Sequence, residues 1–119
     1  MEFSYRNLKV WQKSLALIKS VYAAAELLPK HEDYILKQRI KTAVVSVALN
    51  IAEGKSRKTA KEFSQFLNIS AGSLHEVDAV LVICLELGYL KSIDEIHGKI
   101  EELAKMLNAF RGSLNTNEI

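Results

Sequence analysis

The spacing of apolar residues limits this chain more than any other feature. They recur by steps of three and four from Leu8 to Leu114, and Pro29 is the single proline in the run. Such steps stack side chains on one helix face, whereas a strand needs alternation by two. The cleanest case is Ile93, Ile96, Ile100, Leu103, Leu107, Phe110 and Leu114. A second line is Leu36, Ile40, Ala43, Val44, Val47 and Ile51; a third is Phe63, Phe66, Leu67, Ser70, Leu74, Val77, Leu81 and Cys84. Near the start, Leu8, Trp11, Leu15, Ile18, Tyr22 and Ala25 form a line that Val10, Leu17, Val21 and Leu28 widen. The spacing predicts helices over roughly 7–28, 33–54, 60–87 and 93–114.

The punctuation agrees with these limits. Pro29 pushes its predecessor out of the α region and ends the first helix. Gly54 is read as the stop of the second, and Gly88 as a left-handed cap on the third. Thr59-Ala60-Lys61-Glu62 and Ser92-Ile93-Asp94-Glu95 have the capping-box pattern, in which a hydroxyl and a carboxylate satisfy orphan amides at a helix start. Gly72, inside the third helix, costs about 1 kcal/mol relative to Ala, and close packing on a neighbour is the expected reason for it. Residues 115–119 read as a frayed tail.

Helices of this length joined by a few residues fold back on one another. The expectation is all-α: an antiparallel up-down-up-down four-helix bundle, one domain over residues 1–119. A chain of 119 residues, 49% hydrophobic and 25% charged, has the composition of a folded domain and not of a disordered one. One cysteine makes no internal disulfide, and the longest unbroken apolar run, residues 79–85, is too short for a bilayer. A cytoplasmic protein with no membrane partner is expected.

The net charge of +2 conceals an asymmetry. Residues 1–61 carry twelve Lys and Arg against five Asp and Glu; residues 62–119 carry four against nine. A basic half joined to an acidic half points to a polyanionic partner or to head-to-tail self-association. The densest cations are Lys55, Arg57, Lys58 and Lys61, at the turn before the third helix, whose first amides add to anion binding. Lys37 and Lys41, one turn apart, extend the strip. These six residues are the expected nucleic-acid contacts, directed at the backbone and sensitive to salt.

A polar line beside the apolar face of the second helix, Arg39, Ser46, Asn50 and Glu53, is matched by Ser70, Ser73 and Glu76 on the third. Arg39, Ser46, Asn50, Glu53, Ser73 and Glu76 are assigned to a structural hydrogen-bond network that fixes helix register.

The run Gln38-Arg39 … Ala43 … Ser46-Val47 … Asn50-Ile51-Ala52-Glu53-Gly54 resembles the signature of bacterial four-helix-bundle proteins encoded in intervening sequences of large-subunit ribosomal RNA genes. Leu8 … Val10-Trp11-Gln12, Leu28-Pro29, Ala71-Gly72-Ser73-Leu74 and Leu87-Gly88-Tyr89-Leu90 extend the likeness over almost the whole chain. The resemblance implies a homopentameric ring. A more distant likeness, to the accessory protein of diversity-generating retroelements, implies the same bundle and pentamer, binding nucleic acid and a reverse transcriptase through basic surfaces. The alternative to nucleic-acid binding is therefore a protein-binding scaffold or adaptor.

Catalytic constellations are not expected. Gly54-Lys55-Ser56 lacks the earlier glycine and the preceding strand of a phosphate-binding loop. Asp94-x-x-His97 is the one approach to a di-iron ligand pair, and Cys84 lies on an apolar line without a neighbouring histidine. No enzyme, metal or cofactor is expected. Phe3, Tyr5, Tyr34 and Tyr89 are the aromatics placed loosely enough to stack on bases, with Phe3 and Tyr5 more readily packed on the bundle.

Overall fold

Four α-helices form where the apolar spacing repeats. The computed structural model describes residues 3–117 and contains α1 (Lys9–Ala25), α2 (Leu36–Lys55), α3 (Ala60–Glu86) and α4 (Asp94–Asn117). Short 3-10 turns at Ser4–Asn7 and Lys30–Glu32 precede α1 and α2, and no strand occurs among the described residues. Each helix packs on two others: α1 and α3 both touch α2 and α4. Among the described residues α1 does not touch α3, nor α2 touch α4. The four therefore form a closed square, with the α2/α3 side opposite the α1/α4 side.

Cross-helix contacts run in opposite numerical order. Arg39 meets Glu76, Ser46 meets Ser73 and Ser70 meets Val47. Lys13 reaches Glu102 and Ser20 reaches Lys99, while Phe63 lies against Phe110 and Asp78 against His97. Inside are Leu17, Val21, Ile40, Val44, Val47, Ile51, Leu67, Leu74, Val77, Leu81, Leu103 and Leu107, all fully buried. Each such side chain contributes about 1.5–3 kcal/mol relative to exposure.

The expected core lines of α2, α3 and α4 are largely those observed, but the phase of α1 differs. Val10, Ser14, Leu17, Val21 and Ala25 are its buried residues, whereas Leu15 and Tyr22 are exposed. Both lines are apolar, so spacing alone does not choose between them; α2 and α4 on either side do. Ser14 is tolerated inside because its hydroxyl donates to the Trp11 carbonyl at 2.6 Å.

Helix ends also show where local chemistry was outvoted. α1 stops at Ala25, four residues before Pro29, because Glu26, Leu27 and Leu28 bond back to Tyr22, Ala24 and Ala25 in a closing turn. α2 begins at Leu36 after the Lys30–Glu32 turn. Gly88 behaves as expected: at φ +80° it lets Tyr89 N–H reach the Cys84 carbonyl and Gly88 N–H the Leu85 carbonyl, a complete Schellman cap. α4 continues through the expected tail to Asn117; Glu118 and Ile119 lie outside the described residues. By length and composition α3 alone among the described helices could cross a membrane.

Two glycines depart from their expected roles. Gly54 does not stop α2, which continues to Lys55. A Cβ there would come within 2.8 Å of both Phe63 and Phe66, so Gly54 is where the start of α3 crosses closest to α2. Gly72, expected at a close contact, has open space around it.

Candidate nucleic-acid interface

The α2–α3 turn is built by three local devices. Gly54 brings the helices together, the Ser56 hydroxyl donates to the Glu53 carbonyl at 2.6 Å, and Thr59 Oγ accepts from Glu62 N–H at 3.1 Å. The capping box forms on the threonine side, and its hydroxyl also approaches the Glu62 carboxylate at 3.3 Å. At α4 the pattern is realised differently: Ser92 Oγ accepts from Asp94 N–H, two residues on.

The turn displays Lys55, Arg57, Lys58 and Lys61, all exposed. Arg57 is engaged: its Nη2 donates to Glu53 Oε1 at 2.7 Å and its guanidinium lies 4.6 Å above the Phe66 ring. Lys55 approaches the Phe63 ring at 6.0 Å. Among the described residues Lys55, Lys58 and Lys61 have no carboxylate partner. Three adjacent uncompensated ammonium groups beside a helix N-terminus attract phosphate oxygens.

Lys37 and Lys41 do not join this cluster. Lys37 pairs with Asp33 at 2.9 Å and is mostly buried by its side chain. Lys41 pairs with Glu26 at 3.0 Å and lies 4.9 Å over the Tyr22 ring. Asp33 and Glu26 neutralise them, and fourteen residues of helix put Lys41 about 21 Å from Lys55 along α2. Lys41, by hydrogen bond and by charge, holds the Glu26 carboxyl below its usual range; Asp33 raises Lys37. The expected strip is thus two sites, one free and one paired. The Asp33–Lys37 and Glu53–Arg57 pairs were readable as i,i+4 spacings; Glu26–Lys41 was not.

The polar line of α2 meets that of α3 at the edge of their contact. Arg39 Nε donates to Glu76 Oε2 at 3.2 Å, the Ser46 and Ser73 hydroxyls lie 2.9 Å apart, and Asn50 Nδ2 donates to the Ser46 carbonyl at 2.8 Å. Glu53 departs from this group to Arg57. Arg39 and Glu76 are substantially exposed, so the network borders solvent. An open groove of about 800 Å³ runs along α2 past Tyr34, Gln38, Thr42, Val45 and Leu49.

At the opposite end of the bundle is a cluster the sequence did not signal. Tyr89 Oη donates to the buried Glu32 carboxylate at 2.9 Å, and His31 Nε2 lies 3.1 Å from the same hydroxyl. The bond to Glu32 raises the phenol above its ordinary pKa. Tyr89 therefore ties the end of α3 to the α1–α2 turn and is not loosely placed. Cys84 is buried beside it, and desolvation first, then the Glu32 charge, pushes its thiol up. His97 turns to Asp78 at 2.7 Å. Tyr5 packs edge-on against Trp11, Phe3 lies on Tyr5, and Tyr34 is free.

Comparison with known proteins adds the following. The family model described as 23S rRNA-intervening sequence protein matches residues 6–109. No curated protein matches. Among solved structures, a protein of unknown function from the S23 ribosomal protein family of Bacteroides thetaiotaomicron superposes with a TM-score of 0.78 at 20% identity, covering 86% of this chain and 97% of that one. At that identity the likeness is one of fold. The family match reaches into all four helices and includes the α2 signature, and by it this chain belongs to the 23S rRNA-intervening sequence protein family.

Proposed function

We propose that the protein is a non-enzymatic, cytoplasmic, nucleic-acid-associated assembly. In this reading the helices form an antiparallel up-down-up-down bundle, copies join as a homopentameric ring, and the α2–α3 turn of each copy holds RNA or DNA backbone. The observation that carries it is the contrast in pairing: Lys37, Lys41 and Arg57 have carboxylates within 3.0 Å, while Lys55, Lys58 and Lys61 have none among the described residues. Five copies is the number implied by resemblance to the bacterial family, and repetition around an axis would sum these charges into a strong field.

The test is fluorescence anisotropy of labelled structured RNA and duplex DNA across several salt concentrations. Binding should weaken steeply with salt, and the triple variant Lys55→Glu, Lys58→Glu, Lys61→Glu should lose it. On duplex DNA the slope of log K against log salt should flatten by about 0.9 for each phosphate contact removed. Lys37→Ala with Lys41→Ala should leave the slope nearly unchanged. Retained binding by the folded triple variant would refute this assignment. No binding by the wild type even at low salt would favour the adaptor reading, for which the groove along α2 is the supporting feature.

A further inference from the structure

The groove of about 800 Å³ along α2 leads straight to the α2–α3 turn. Tyr34, Gln38, Thr42, Val45, Leu49 and Glu53 follow one another along it by steps of three and four, one stripe of helix surface. Charges on the stripe are matched in pairs: Asp33 with Lys37, Glu26 with Lys41 and Glu53 with Arg57, each within 3.0 Å. What remains is an apolar floor with neutral hydrogen-bonding groups. Leu49 is 58% exposed. Gln38 and Thr42 are exposed, and their side chains have no hydrogen-bond partner among the described residues.

Tyr34 stands at the head of the stripe and is 89% exposed, more than any other large hydrophobic side chain among the described residues. Its ring has no aromatic, cationic or hydrogen-bonding partner there. It also borders a second hollow of about 310 Å³, beside Ile35, Arg39 and Glu76, so open space adjoins it on two sides. Tyr22, the other tyrosine of the groove, has Lys41 over its ring at 4.9 Å. At the far end Glu53 lines the groove and holds Arg57 of the turn, where Lys55, Lys58 and Lys61 lack carboxylates. The 20 residues of α2 set a bare aromatic ring about 30 Å from those ammonium groups.

We infer that the groove holds an unpaired RNA strand, its bases against α2 and its backbone entering at the α2–α3 turn. The inference rests on the nucleic-acid reading proposed above and names the substrate class of that site. Phosphates gain little along a wall whose charges are already paired, so they face water and reach protein at the three free lysines. Bases are planar and neutral, with donors and acceptors on their edges. One stacks on Tyr34, and Gln38 and Thr42 bond the edges of those that follow. A duplex keeps its base faces stacked inside and offers Tyr34 nothing. RNA presents unstacked bases in its loops and bulges, and its 2′-hydroxyls are further partners for Gln38 and Thr42.

Anisotropy with three labelled probes tests this: an unpaired RNA, the same RNA annealed into a duplex, and the DNA strand of that sequence. The unpaired RNA should bind tightest. Tyr34→Ala should weaken it about 5- to 150-fold, the equivalent of one lost base stack. The slope of log K against log salt should stay as in the wild type, because no phosphate contact is lost. Tyr34→Phe keeps the ring and should bind like the wild type, whereas the triple variant of Lys55, Lys58 and Lys61 should flatten the slope. Circular dichroism verifies each fold. Should Tyr34→Ala unfold, Gln38→Ala with Thr42→Ala replaces it, and should weaken the unpaired RNA while leaving the duplex unchanged. A duplex bound as tightly as the unpaired RNA, or a folded Tyr34→Ala that binds like the wild type, would overturn this inference and leave the lysine site standing. DNA bound as tightly as RNA would overturn the choice of RNA. Failure of all three probes to bind would overturn the nucleic-acid function itself, and this inference with it.

Discussion

Single residues in this protein are decided by what lies within a few ångströms. At Gly54 a methyl group would meet Phe63 and Phe66 at 2.8 Å, one of those contacts being a Cβ that cannot swing away. Gly98 is likewise helical but has open space around it. Ala improves helix propensity by about 0.5–1 kcal/mol at either position, while overpacking costs about 1–3 kcal/mol. Gly54→Ala should therefore lower Tm by several degrees and Gly98→Ala should raise it by a few, read by thermal denaturation monitored by circular dichroism. A Gly54→Ala melt at or above the wild-type temperature would contradict the close crossing. Sequence reading gave Gly54 the role of a stop, since a glycine after a helical run is equally compatible with a stop and with a close crossing.

Between elements, the hydrogen bond of His97 on α4 to Asp78 on α3 makes stability depend on pH. The bond to Asp78 and its charge raise His97 above the ordinary imidazole value of about 6.5, with Glu101 and Asp94 adding in the same direction. A raised folded pKa means that the stabilisation is fully present below the unfolded value and is lost as pH rises through the folded one. Chemical denaturation should show stability falling as pH rises from the ordinary imidazole value through the raised one of His97, and Asp78→Asn should flatten that dependence. The same slope in both proteins would assign it to another group. Neither residue stood out in the sequence, where His97 was noted only for its spacing from Asp94. Nineteen residues separate the true partners, and only the docking of α4 on α3 brings them together.

For the whole molecule, two of the long-range ion pairs tie the first helix and the residue after it to neighbouring helices. Lys13–Glu102 joins α1 to α4, and Glu26, directly after α1, holds Lys41 of α2. Both carboxyls are held below their usual range, each by hydrogen bond and charge from its lysine. Stabilisation from a depressed acid is present above the unfolded pKa and is lost as pH falls through the folded one. Below the ordinary carboxylate range α1 should loosen first, seen as hydrogen exchange of its amides rising ahead of those of α2 and α3. Uniform exchange across the helices would show that these bridges do not govern the docking of α1. The pairs also explain where the charge asymmetry goes. Part of the basic half is matched to the acidic half inside one chain, through Lys13–Glu102 and Arg39–Glu76, and the lysines of the α2–α3 turn are among those left without a carboxylate.

The sequence by itself determined that the chain is helical, where its four helices lie to within a few residues, the core faces of α2, α3 and α4, and the family signature along α2. These follow from interactions within one or two helical turns, where three-and-four spacing and caps act directly. Tertiary structure decided the phase of α1, because two apolar lines competed and only neighbouring helices chose between them. It also decided which cations are free. A lysine is neutralised by whatever carboxylate folding brings within 3 Å or so, and for Lys41 that acid lies fifteen residues away across a turn. Exposure of Leu49, Ile69 and Ile83 is likewise set by packing, since an apolar side chain reads the same in sequence whether it faces the core or solvent.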